Sequence, residues 1–421
     1  MTVAFPQAAP HAQGAAMRFI MLVVLIDMLA VGIIVPVLPA MVGRFTSDPS
    51  EQARWYGVVA GAYALSQFVA APLLGALSDR FGRRPVLLLG FCGLALNFFT
   101  TAMATGLWML VLSRVVGGAM QANAAVANAY VADITAPADR AKRFGLLGAM
   151  FGIGFILGPV LGGILGGIDL RLPFVVAGVL ALANLAYGYF VLPESLLPAQ
   201  RRPVDWWRAN PLSSFKQLVA LKGVGLLVGV LALAGLAQFS LYTVWVLYGT
   251  LRFGWGPSEN GWSLFAVGMV SALVQGALLG RLFKRFGAQR LALVGLLSSS
   301  LAFLGWGLAT QPWMMYAVIA GNLLGAAVSA SLNGLVSSAA DEHTQGQTMG
   351  AVGSLNSLAA VVAPALAAPL MATVSHLPTT DWRIGTPMFF CALLQALALV
   401  LALLHFRHQA RRSAVVSPQP V

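Results

Sequence analysis

Gly75-Ala76-Leu77-Ser78-Asp79-Arg80-Phe81-Gly82-Arg83-Arg84-Pro85 decides the fold, because part of this stretch is written twice. Its frame, Gly75-x-Leu77-x-x-Arg80-Phe81-Gly82, returns 205 residues later (75 to 280) as Gly280-x-Leu282-x-x-Arg285-Phe286-Gly287. The same offset (145 to 350) carries Gly145, Gly148 and Pro159 onto Gly350, Gly353 and Pro364. Two separate landmarks at one spacing describe two similar halves. Within the first copy, Asp79 can cap or pair at a helix end, and Gly82 permits a tight turn. The arginines suit carboxylates and lipid headgroups.

Outside the duplicated loop the chain is apolar. Of 421 residues, 59% are hydrophobic and only 9% are charged, with a mean hydropathy of +0.82. A soluble domain carries roughly 25% charged residues, so a water-soluble enzyme is excluded. A span needs about 20 apolar residues, and apolar runs fall near 17–42, 55–78, 86–104, 107–132, 145–167 and 173–192. A second set falls near 223–248, 261–280, 291–310, 313–338, 349–374 and 387–406. The expected fold is an all-α membrane protein of about twelve spans, in two six-helix bundles related by a parallel repeat. The bundles are residues 1–192 and 223–421, joined by a polar linker over 193–222 that holds Glu194, Arg201, Arg202, Asp205, Arg208, Lys216 and Lys222. Repeats of this kind, around a site near the bilayer midplane, build transporters. The 45 glycines suit helices packed closely in lipid.

The net charge of +12 does not point to nucleic acid, because the basic residues fall in short gaps between apolar runs. With the N-terminus inside, nineteen of the 25 Lys and Arg face the cytoplasm, five face outward, and Arg114 lies within a span. Both termini are therefore expected in the cytoplasm of a bacterial-type inner membrane. Cys92 and Cys391 lie inside apolar runs without a CxxC or a histidine cluster, so neither metal nor cofactor is implied. His343, His376, His405 and His408 fall in loops or near span ends.

The loop from Gly75 to Pro85, with its weaker second copy, resembles the signature loop of the major facilitator superfamily, where it latches the gate between halves. That resemblance makes Gly75, Asp79, Arg80, Gly82, Arg83 and Arg84 gating residues. Span five repeats glycine at helical spacing through Gly154, Gly158, Pro159 and Gly162. Close helix packing explains part of this, but the Gly-Pro pattern is similar to the antiporter motif of the drug-export branch. Closer still is the tetracycline/proton antiporter family. It is resembled at Asp27 to Pro39, at Tyr63-Ala-Leu-Ser-Gln67, over Ser78 to Leu89, at Val244-Trp245-Val246-Leu247 and at Arg252-Phe253-Gly254-Trp255. That family typically has aspartate in mid span three, histidine in span eight and aspartate in span nine. Here Asn97, Ser271 and Ser299 occupy those places. In the family those groups are linked to proton coupling and to binding a metal–tetracycline complex, so the substrate stays open.

Asp27 is the one acid deep in a span, and Arg114 the matching base. An ionisable group in the bilayer is costly and faces the protein interior. Low dielectric favours the neutral carboxylic acid, which suits a proton carrier, and the resemblance assigns Arg114 to tuning it. A structural pairing is the plainer alternative for both residues. Arg114, Gly118, Gln121, Ala125 and Asn128 share one face of a continuous span-four helix. Tyr63 with Gln67, Gln238 with Tyr242 and Trp245, and Asn322 with Ser329 and Asn333 form similar stripes. Together with Asn97 they outline an uncharged polar-aromatic site for an amphipathic ligand, although each polar group could equally join two helices. The expected partners are a small-molecule substrate, protons and the lipid bilayer, with the chain working as a monomer. Proton-coupled efflux of amphipathic molecules or antibiotics is the favoured function. The alternative is uptake or facilitated diffusion of a polar metabolite.

Overall fold

The computed structural model describes residues 10–121, 123–136, 139–201, 203, 225–339 and 345–416. Most of the linker expected over 193–222, Trp206 and Trp207 included, lies outside the described residues. Every long element is a helix, as lipid requires of a chain that must satisfy its backbone internally.

In order these are α1 (Pro10–Ile34), α2 (Leu38–Gly43), α3 (Pro49–Phe81), α4 (Arg83–Ala102), α5 (Leu107–Met120), α6 (Asn123–Ile134), α7 (Arg140–Ile168) and α8 (Leu172–Val191). Beyond the linker come α9 (Gly225–Phe253), α10 (Pro257–Leu273), α11 (Leu279–Leu308), α12 (Pro312–Gly321), α13 (Val328–Ala339), α14 (Gln345–Val374) and α15 (Thr386–Val416). A π-turn over Val274–Leu278 joins α10 to α11.

Among the described residues ten helical stretches are long and apolar enough to cross a membrane, and the bent pair Pro312–Gly321 and Gly325–Ser338 makes eleven. One stretch, Pro257–Leu308, runs for 52 residues. At 1.5 Å per residue that is about 78 Å, more than twice the roughly 30 Å hydrocarbon core. Its direction breaks at Gly287, whose φ is +72°, so it is long enough for two crossings, which would bring the total among the described residues to twelve. The chain is an integral membrane protein.

Three predicted spans are interrupted rather than continuous. Span one stops at Ile34 and resumes as the short α2, around Pro36, whose ring removes a backbone donor. Span four is split between Met120 and Asn123, and span ten between Gly321 and Val328 with a 54° bend. The single stripe expected from Arg114 through Asn128 is therefore carried by two helices.

The chain clusters into two compact units: Met1–Phe45, Ala62–Asn210 and Pro257–Trp262 form the first, and Thr46–Gly61, Pro211–Gly256 and Ser263–Val421 the second. The first unit's core gathers Ile20, Val23, Leu87, Phe91, Tyr130 and Val131. The second unit's gathers Val230, Leu231, Leu296, Leu332, Val336 and Ala398. Their lipid-facing sides keep exposed apolar side chains such as Leu96, Phe190 and Leu301.

Candidate functional site

In the first unit the interruption of span four creates the site. Gln121 follows the last turn of α5 with φ −84° and ψ 49°, outside helical geometry. Its carbonyl is thereby released from the helix, and the Gln67 amide on α3 donates to it at 3.3 Å. The Gln121 side chain turns to α1 and donates Nε2 to Asp27 Oδ2 at 3.3 Å. Asp27 is 3% exposed and Arg114, on α5, is 6% exposed. Tyr63 lies within electrostatic reach of both. Gly118 brings α5 onto α3, because a Cβ there would overlap the Tyr63 carbonyl. Thus Asp27, Tyr63, Gln67, Arg114 and Gln121, expected from sequence, share one neighbourhood.

Asn97 sits in the α4–α5 seam, packed over Gly117. Its side-chain amide has no hydrogen-bond partner among the described residues. Nearby, the hydroxyls of Thr101 and Ser113 lie 3.0 Å apart. Asn128 is exposed on α6, beyond the break.

The span-five glycines seat the helix that carries the carboxylate. A Cβ on Gly154 would come 2.9 Å from Leu25 O, one on Gly158 would come 2.6 Å from Gly32 Cα, and one on Gly162 would overlap the Ile33 carbonyl. Pro159 stands within α7. The α1–α7 seam is therefore backbone against backbone, with Asp27 along its length.

The signature loop closes on itself. Arg83, 8% exposed, pairs with Asp79, with Asp133 Oδ2 at 3.1 Å, and donates to Ser78 Oγ at 2.6 Å. Gly82 adopts φ +108°, a region open mainly to glycine. Glu194 fills the space a Cβ there would need. Its carboxylate accepts the backbone N–H of Arg83 at 2.8 Å and of Arg84 at 3.2 Å. An acid thus caps the N-terminus of α4 from 110 residues away in sequence. In the second copy the loop stands exposed at Arg281, Lys284, Arg285 and Gly287, and Lys284 occupies the position equivalent to Asp79. Gly75 has open space around it, and Arg80 is exposed above the Phe81 ring.

In the second unit the remaining stripes line one cavity of about 390 Å³. Gln238, Tyr242, Trp245 and Asn322 all line it, as do Ser329 and Asn333. Ser271 and Ser299 line it too. Trp245 is fixed by donating Nε1 to Ser263 Oγ at 2.9 Å and by an edge-to-face contact with Trp306 at 4.9 Å. Asn322 caps the end of α12 and accepts from Ser298 Oγ at 3.0 Å. Sequence reasoning missed Gln275, Asn356 and Gln395 on the same walls. Arg252, quoted from sequence only for its family-like run, is buried at 5%. Its guanidinium donates to the carbonyls of Ala309 at 3.0 Å and Asp381 at 2.7 Å, and to that of Thr379.

Two duplicated halves of membrane-spanning helices, each with polar side chains gathered inside an apolar body, define a membrane transporter rather than an enzyme. The chain belongs to the Major Facilitator Superfamily, whose family model matches residues 20–364. It is 36% identical over 371 residues to the class C tetracycline resistance protein of Escherichia coli, covering 88% of this chain and 93% of that one. The class D protein of Salmonella ordonez is 35% identical, with 90% and 95% covered. Among solved structures, the human organic anion transporter MFSD10 (TETRAN) superposes with a TM-score of 0.68 at 24% identity, covering 94% of this chain and 100% of that one. The nucleoside transporter NupG gives 0.72 at 12% identity, covering 93% and 99%. At those identities the structures speak for the fold alone.

Proposed function

We propose that this chain is a proton-driven exporter of amphipathic small molecules, antibiotics among them, working by alternating access. One observation carries the reading. Asp27 is a buried carboxyl on α1, whose other charged residue, Arg18, stands at the very start of the span; it is held by the Gln121 amide and within electrostatic reach of Tyr63. A group so placed can exchange a proton with small rearrangement of its amide partner, and Arg114 in the same neighbourhood biases its charge state. The likeness to tetracycline resistance proteins supports export over uptake. The protein sits in a bacterial-type inner membrane with both termini cytoplasmic and acts as a monomer. The bundles 1–192 and 223–421 move as its two halves. The loop at Gly75–Arg84, tied down by Glu194, latches one end of the cycle.

The test is drug-stimulated proton release from inverted membrane vesicles carrying the full chain. Asp27→Asn is expected to abolish exchange driven by the pH gradient while membrane levels stay unchanged. Undiminished exchange in that variant removes Asp27 from the mechanism. Accumulation opposite to the export direction in the wild type selects uptake instead.

A further inference from the structure

The second unit's cavity has a chemistry that goes further. Among its lining residues there is no Asp, Glu, His, Lys or Arg. No group of three His, Cys, Asp or Glu comes together anywhere among the described residues. Its polar wall is instead a set of amides: Gln238, Gln275, Asn322, Asn333, Asn356 and Gln395. Its apolar wall is aromatic, with Phe303 stacked on Trp306 at 5.7 Å and Trp245 edge-on to the same ring.

Such walls discriminate strongly. An ion taken into this space loses its hydration and gains no counter-charge. A hard divalent cation accepts amide carbonyls and waters as ligands but is ordinarily anchored by at least one carboxylate or by a substrate phosphate, and the walls supply no anionic oxygen. A neutral ligand meets no such penalty, and amides both donate to it and accept from it. One of them demands a partner. Gln395 is 4% exposed, and its Oε1 has no hydrogen-bond partner among the described residues. A buried acceptor left unmade is expensive, and a half-turn of the amide would exchange that oxygen with Nε2 on a residue that lines the cavity. Asn333 Oδ1 on the same wall is in the same state. The volume of about 390 Å³ lies at the small end of the range for drug-sized ligands, which is about 300–1,000 Å³.

We infer that the part of the substrate held by the second unit is an uncharged aromatic group bearing N–H or O–H donors, bound without a divalent cation, and that Gln395 selects it by accepting one of those donors. This rests on the export reading only in taking the cavity as a substrate site. It departs from metal-chelate recognition at Ser271 and Ser299, where both side chains on the wall are plain hydroxyls.

The test is tryptophan-fluorescence titration of the purified full-length protein, since Trp245 and Trp306 border the cavity. The probes are chloramphenicol and benzanilide as neutral aromatics with N–H or O–H donors, tetraphenylphosphonium as a lipophilic cation, and tetracycline with MgCl2 or with EDTA. Neutral probes are expected to bind with an affinity unchanged by EDTA. Gln395→Leu should weaken them about tenfold, as expected for one lost hydrogen bond of about 1.4 kcal/mol. Gln395→Glu keeps the size and the acceptor, and should bind tetraphenylphosphonium that the wild type rejects. That gain of binding is not produced by a merely damaged fold. The inference is overturned if no neutral probe binds, if only the cation or the magnesium chelate binds, or if Gln395→Leu binds as the wild type does. Binding in detergent needs no pH gradient, so its outcome is separate from that of Asp27→Asn in vesicles.

Discussion

At the scale of single residues, what matters is which polar atoms an apolar chain goes to the trouble of burying. Arg252 shows the structural side of this. Its guanidinium serves carbonyls from two separate connections, after α11 and before α15. A lysine offers one point charge where three divergent N–H groups are used. Arg252→Lys is therefore expected to destabilise nearly as much as Arg252→Ala, by about 3 kcal/mol, since each leaves buried carbonyls unmatched. The midpoint of heat-induced loss of the monodisperse peak in detergent checks this. A midpoint for the lysine variant equal to wild type means that charge alone suffices. The cluster around Asp27 was legible in sequence because a lone carboxylate, arginine or amide in an apolar run stands out against its background. Gln395 was not, because one amide within Cys391-Ala-Leu-Leu-Gln395-Ala-Leu reads equally well as a bond between helices. Only the geometry shows that its oxygen is buried and unmatched and that the residue lines a cavity.

At the scale of elements, the glycines of α7 divide into two kinds that sequence spacing cannot separate. Gly158 and Gly162 abut the backbone of α1, whereas Gly145, Gly148 and Gly152 have open space around them. Gly162→Ala must push α1 off its seat, and overpacking of this sort costs about 1–3 kcal/mol or more. Gly148→Ala and Gly152→Ala have room for the methyl and favour the helix slightly. Expression as stable monodisperse protein is thus expected to fail or fall sharply for Gly162→Ala and to hold for the other two. Equal behaviour of all three would dissolve the distinction. The duplicated loop makes a second contrast. In the first copy Glu194 caps α4 and Arg83 is matched by Asp79 and Asp133, while the second copy is exposed around Lys284. Glu194→Ala strips a carboxylate from two backbone N–H groups at a helix start, which typically costs about 1–2 kcal/mol. Lys284→Ala should change the same melting point by much less. The capping role of Glu194 was hidden in sequence. It falls just past span six among linker charges, and capping across 110 residues leaves no local pattern.

At the scale of the whole molecule, the duplication reaches beyond motifs into where helices break. Span four stops at Met120 and resumes at Asn123, and span ten stops at Gly321 and resumes at Val328; the restarts share the 205-residue offset (123 to 328) that relates the two loops, while the stops lie 201 apart (120 to 321). Each break frees a polar residue beside its unit's polar cluster: Gln121 toward Asp27 in the first, Asn322 toward Ser298 in the second. Interrupted spans at matching places in two repeats are how transporters expose backbone and amides to a substrate within lipid. Composition could not reveal this, since hydropathy runs unbroken across both sites. The same reading fixes the number of crossings. If Pro257–Leu308 crosses twice, turning at Gly287, then Gln289 and Thr310 lie on opposite sides of the membrane. By the bias of basic residues, Arg281, Lys284, Arg285 and Arg290 near the turn predict Gln289 on the inner side. Gln289→Cys and Thr310→Cys, each in a background with Cys92 and Cys391 replaced by serine, can be labelled in intact cells with an impermeant maleimide. Thr310→Cys is expected to react from outside, and Gln289→Cys only after the cells are opened. Labelling of both from one side would leave an odd number of crossings and place the two termini on opposite faces, which breaks the parallel repeat on which the transport reading stands.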